Sequence, residues 1–205
     1  MGDQTVAWES LELGSKEELQ FRLSFIEPSN AIRGVFIKGV LEVVQQIGGK
    51  AAVDHCMEEL GETELLDFFN YPMATFIRMT YAAAHFLSDR YGGFQGAMWK
   101  MGHQALKNFE ASPVGKSMLL MAHGNPKRLL DTLPATTQAM TAGGESSVMS
   151  TGSNSGVYSV KRDFTPPAYT EGAMQALFEA TKARGVQVHA KRTGPFDTDY
   201  EISWE

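Results

Sequence analysis

The sequence is poor in cysteine: Cys56 is its only one. An intrachain disulfide is therefore excluded, which fits a reducing compartment. Basic residues are also in deficit, with 18 Lys and Arg against 24 Asp and Glu and a formal net charge of −6. A primary nucleic-acid binder would show a basic excess, so that class is disfavoured. No apolar run approaches the roughly 18 residues that a membrane-spanning helix needs. Residues 1–13 carry Asp3, Glu9 and Glu12 and lack the apolar stretch of a secretory signal. These absences together predict a cytoplasmic protein.

Catalytic signatures are missing too. There is no Gly-x-Ser-x-Gly elbow and no papain-type cysteine context. The run Gly143-Gly144-Glu145-Ser146-Ser147 lacks the lysine and spacing of a phosphate loop and reads as linker. His55 and Cys56 are adjacent, so on a helix they diverge by about 100° and do not chelate together. No metal site and no cofactor are expected, and the chain is not expected to be an enzyme.

What is present is a core-forming composition: 43% hydrophobic and 20% charged over 205 residues. That supports one domain, 1–205, without staples. Residues 19–142 read as mainly helical and 143–205 as β-β-α-β-β. Leu19, Phe21, Leu23 and Phe25 alternate with polar residues, the pattern of an additional N-terminal strand. Pro28 stops it, and Ser29 or Asn30 can cap a helix over 30–47 with Ile32, Phe36, Val40, Val43, Val44 and Ile47 on one arc. Helices follow at 50–60, around 64–69, at 73–90 and at 94–110. Further helices start at Pro113 and at Asn125-Pro126. The helix at 73–90 is apolar nearly all round and should lie centrally, leaving His85, Arg78 and Asp89 on a narrow polar strip. Strands are predicted at 145–151, 156–164, 186–192 and 199–204, with a helix at 168–184. The segregation of helices and strands makes the fold class α+β, a helical two thirds packed on an antiparallel sheet unit.

Arg33 is the most informative single residue. Helical spacing puts it between Val40 and Val44 in the apolar arc, and an unpaired buried charge is costly. It is either an internal ion pair with Glu27, Asp67 or Asp163, an Arg reaching to water, or a bidentate clamp for an anionic ligand. Arg162 has the same ambiguity, on the strand face of Tyr158, Val160 and Phe164. His103 falls near Lys100 and Lys107, a solvated face. The aromatics Tyr71, Tyr81 and Trp99, with neighbouring Phe and Met residues, are either core or the walls of a pocket between helices. Arg33, Tyr71, Tyr81, Trp99 and Arg162 are therefore the ligand-binding candidates. Cys56 reads as a buried small hydrophobe.

Several runs carry a resemblance: Ile32-Arg33-Gly34-Val35-Phe36, Asp67-Phe68-Phe69-Asn70-Tyr71-Pro72, Tyr91-Gly92-Gly93-Phe94, residues 162–169 and the ending Tyr200-Glu201-Ile202-Ser203-Trp204. They resemble an uncharacterised family of bacterial paralogues of about 200 residues, expanded in myxobacteria and related predators. The order of elements, with Glu171-Gly172-Ala173-Met174-Gln175-Ala176-Leu177 before a hairpin, is similar to the superfamily of haem nitric-oxide-binding domains, 4-vinyl-reductase-type sensors and TRAPP tethering subunits. The haem branch would require an axial His and a Tyr-x-Ser-x-Arg clamp. The nearest run, Tyr158-Ser159-Val160-Lys161-Arg162, has its serine in the wrong place. The resemblance implies a regulatory or signalling module that binds a small apolar or anionic ligand and acts on a partner protein. The alternative is a dimeric scaffold with a TRAPP-like fold and no ligand.

Overall fold

The structure, a computed structural model, describes residues 8–61, 65–111, 116–117, 119–120, 124–140 and 145–205. A 3-10 turn at Trp8–Ser10 precedes helix α1 (Lys16–Ser24). Strand β1 (Ala31–Arg33) leads into α2 (Gly34–Gly48), followed by α3 (Lys50–Leu60). Strand β2 (Asn70–Pro72) leads into α4 (Met73–Tyr91), then α5 (Phe94–Ala111) and α6 (Pro126–Met140). The chain closes with β3 (Glu145–Gly152), β4 (Ser155–Lys161), α7 (Pro167–Glu179), β5 (Gln187–Arg192) and β6 (Thr198–Ser203). The class is α+β, with the helices mainly first and the strands mainly last.

The predicted strand over 19–25 is instead α1. Ser15 caps it by accepting from the Glu18 amide at 3.1 Å, the serine-to-glutamate spacing that marks a helix start. An alternating pattern also contains residues four apart, and those pairs decide here. Phe21 and Phe25 pack at 5.0 Å between ring centroids, while Glu18 and Arg22 turn inward together. The extra N-terminal strand is β1, which pairs antiparallel with β2 in the register Ile32↔Tyr71 and Arg33↔Asn70. This pairing delays α2 to Gly34, so the helix expected from residue 30 starts four residues on. Likewise residues 67–69 form a turn into β2 rather than a helix. Most of the helix expected from Pro113 lies outside the described residues. Asn125 and Pro126 start α6 as the sequence predicts, the Asn125 side chain accepting from the amides of Lys127 and Arg128.

The main sheet has the order β3-β4-β6-β5, all antiparallel. Two apolar cores result. The first joins α2, α3, α4 and α5, with α4 central through Phe76, Ile77, Met79, Ala83, Ala84 and Leu87. Cys56 is fully buried there, as expected. The second lies between the sheet and α6 and α7, around Tyr158, Phe178, Tyr200 and Ile202.

The cores meet where α5 crosses α7. A Cβ on Gly102 would fall 1.8 Å from the Tyr169 carbonyl oxygen, and one on Gly172 would fall 2.1 Å from that of Trp99. Glycine on both helices lets the two backbones touch.

Candidate functional site at the junction of the two cores

The junction holds a buried ionic network that begins on α1. Arg22 is 1% exposed. Its Nη2 lies 2.5 Å from Glu18 Oε1, its Nε donates to the Tyr81 hydroxyl at 2.9 Å, and its Nη1 donates to the Phe164 carbonyl at 3.0 Å. The Tyr81 hydroxyl donates in turn to Glu18 Oε2. The Phe196 ring covers the guanidinium at 5.5 Å. One side chain thereby ties α1, α4, the segment after β4 and the β5–β6 hairpin together. Burial works against the charge on Arg22, but Tyr81 and Glu18 outweigh it and hold its pKa above the usual arginine value. Burial raises the Tyr81 phenol, and Arg22 opposes that rise, so Tyr81 stays protonated.

A groove of about 350 Å³ opens beside this network. Trp99 of α5, Pro167 and Ala168 of α7, and Leu13 ahead of α1 form its apolar walls. Arg192, at the end of β5, supplies a guanidinium, and Glu171, one turn into α7, supplies a carboxylate. Arg192 lies over the Trp8 ring at 4.7 Å and forms no ion pair or side-chain hydrogen bond among the described residues. Burial, then the nearby charge of Arg22, push its pKa below the usual arginine value. Glu171 accepts the Ala190 amide through Oε2 at 2.9 Å and forms no ion pair among the described residues. Another cleft, about 450 Å³ along α2 and α3, is a surface depression lined by Lys38, Leu41, Glu42, Gln45, Gln46 and Val53.

The sequence candidates do not converge on one place. Trp99 lines the groove, whereas Tyr81 belongs to the buried ionic network. Tyr71 sits on β2, where its hydroxyl accepts the Leu66 amide at 2.9 Å. Arg33 is exposed at the end of β1 and not in the apolar arc, because β1 pairing carries it off the helix. None of Glu27, Asp67 and Asp163 pairs with it. Arg162 is also exposed, just past β4 in a left-handed conformation with φ 56°. It faces Glu27 at 3.8 Å on the surface. The inward arginine is Arg22, hidden from sequence reading by the strand assignment. Arg192 was hidden by its place at a strand end.

His103 also departs from expectation: it is buried, not solvated. Its Nε2 lies 3.2 Å from Glu179 and its ring stacks on Trp99 at 4.8 Å, which Gly172 permits by bringing α7 close. Burial lowers its pKa more than Glu179 raises it.

In fold, the chain is similar to haem-nitric-oxide/oxygen-binding (H-NOX) proteins. The Fe(II) unliganded H-NOX protein from K. algicida matches with a TM-score of 0.66 at 13% identity, over 85% of this chain and 97% of that one. An oxygen-binding H-NOX domain related to soluble guanylate cyclases matches with a TM-score of 0.63 at 13% identity, over 85% and 95% of the two chains. A variant of the T. tengcongensis H-NOX protein matches with 0.64 at 12%, over 85% and 98%. No curated protein matches the chain.

The described residues do not suit haem. Among the described residues, His55, His85 and His189 lie at the surface, the first two against Phe86 and Phe94. His103 Nδ1 is a buried nitrogen without a hydrogen-bond partner, but its ring is sandwiched at the α5–α7 crossing, where backbones already touch. Axial ligation needs an open ring nitrogen facing a macrocycle-sized slot, and the crossing leaves none. No group of three His, Cys, Asp or Glu side chains among the described residues could hold a metal ion. None of their helices is long and apolar enough to cross a membrane. Residues 26–205 carry the signature of DUF2378, described as a protein of unknown function, and the chain belongs to that family.

Proposed function

We propose that this chain is a non-enzymatic regulatory module. It takes a small ligand of apolar and anionic character in the junction groove and passes the change to a partner protein. The observation that carries the reading is Arg192: a half-buried guanidinium with no acidic partner among the described residues, in a groove where the two cores meet. Glu18 acts on that guanidinium through its field and not through a contact, which leaves the donor fork able to receive an anion. A ligand there touches α5, α7, β5 and the segment ahead of α1 at once, so its binding energy biases how those elements sit together. The H-NOX fold supports the reading, because the solved proteins of that fold include an oxygen complex related to guanylate cyclases.

The test is thermal unfolding against a library of metabolites, followed by partner capture with and without any hit. A ligand that raises the melting temperature and alters capture of one protein supports the module. A library without any stabilising compound overturns it.

The alternative, a dimeric scaffold, draws on Phe68 and Phe69, which are 87% and 62% exposed side by side ahead of β2. Light scattering discriminates: a stable dimer that Phe68→Ser and Phe69→Ser dissociate favours the scaffold, and a monomer counts against it.

A further inference from the structure

The groove distinguishes among small ligands more sharply than an anion site would. Its two charged side chains have opposite sign and are not paired with each other. Arg192 offers a planar two-pronged donor suited to a carboxylate. Glu171 uses Oε2 on the Ala190 amide and keeps its second oxygen for another donor. Between them lie the apolar surfaces of Trp99, Pro167 and Leu13. The two opposite charges line one groove without joining, and Glu18 reaches Arg192 only through its field, so both keep donor or acceptor capacity for a ligand. A simple carboxylate satisfies Arg192 but brings like charge toward Glu171. A simple amine does the reverse toward Arg192.

Resting on the ligand-binding reading above, we propose that the junction groove takes a small zwitterion of the apolar α-amino acid class. Its carboxylate lies on Arg192, its ammonium on Glu171 and its side chain against Trp99, Pro167 and Leu13. The volume, about 350 Å³, is at the small end of ligand sites and suits a molecule of that size.

The test is calorimetric titration of the full chain with L-phenylalanine and L-leucine as probes. Hydrocinnamate, which lacks the ammonium, and phenethylamine, which lacks the carboxylate, are the comparisons. Phenylalanine or leucine should bind about tenfold or more tightly than either half-molecule. Arg192→Gln should remove that advantage over phenethylamine. Glu171→Gln, which keeps an oxygen for the Ala190 amide, should let hydrocinnamate equal phenylalanine. Indole NMR signals of Trp99 and Trp8 should shift on binding. That of Trp204, which stacks on Phe178 in the second core, should not. This readout holds even if a variant folds poorly. Hydrocinnamate binding as tightly as phenylalanine overturns the zwitterion and leaves the regulatory reading standing. So does a library hit of another class with none of these probes bound. No stabilising compound of any kind overturns both.

Discussion

Arg22 and Tyr81, 59 residues apart, are joined by a hydrogen bond of 2.9 Å from Nε to the phenolic oxygen, with both side chains buried. The bond fastens α1 to the central helix α4, and Glu18 closes the triangle. Removing one partner leaves a charge stranded in the core. Arg22→Ala should therefore destabilise the protein by about 3–5 kcal/mol, and Tyr81→Phe by about 1–3 kcal/mol. Urea unfolding of the single variants measures both. The double replacement Glu18→Leu with Arg22→Met should cost less than Arg22→Ala alone, since it leaves no unpaired charge. Equal losses would refute this account of the network.

The α5–α7 crossing makes a second contrast. Gly102→Ala and Gly172→Ala each drive a methyl group into backbone that has no room to give. Each should cost at least about 1–3 kcal/mol by overpacking. Gly39, inside α2, has nothing within 4 Å of a built Cβ. Gly39→Ala should instead stabilise by about 0.5–1 kcal/mol through helix propensity. Thermal unfolding of the three variants decides whether glycine is needed for contact or merely tolerated.

His103 sets a pH dependence. Its folded pKa lies below the ordinary 6.5, chiefly because burial disfavours the imidazolium. The unfolded chain then binds the proton more readily, so stability is full above the ordinary value and falls as pH drops through it. Unfolding free energy should decline from about pH 7.5 to pH 5.5, and His103→Gln should flatten that part of the curve. A decline unchanged in the variant assigns the effect to another group.

Haem titration is a fourth check. Added hemin should give no stoichiometric complex with the Soret signature of histidine ligation. A complex that forms in the parent and disappears in His103→Ala would show that α5 and α7 separate far enough to admit the macrocycle.

Much of the fold was legible because its signals are local. Glycines 48–49, 61 and 92 end α2, α3 and α4 as glycines do, with the chain turning left-handed at Gly61 and Gly92. The apolar wrapping of α4 announced a central helix, alternation located three strands of the main sheet, and flanking turn residues located the fourth, β3. The site was much less legible. Trp99 and Tyr81 were reachable as aromatics in apolar helices, whereas Arg33 and Arg162 misled because a face was inferred for each from an element it does not join. The serine-to-glutamate spacing at Ser15 and Glu18 was the available clue to α1, and with it to Arg22.

The sequence by itself determined the class, most element boundaries and the burial of α4, since these follow from periodicity, caps and breakers within a few residues. Only the tertiary structure decided which arginine is buried and which carboxylate meets it. It also decided that β1–β2 pairing holds Arg33 outside the core and that Arg192 and Glu171 line one groove. The reason is physical: a charge enters a protein interior only where partners from distant segments converge to compensate it, and local pattern carries no record of that convergence.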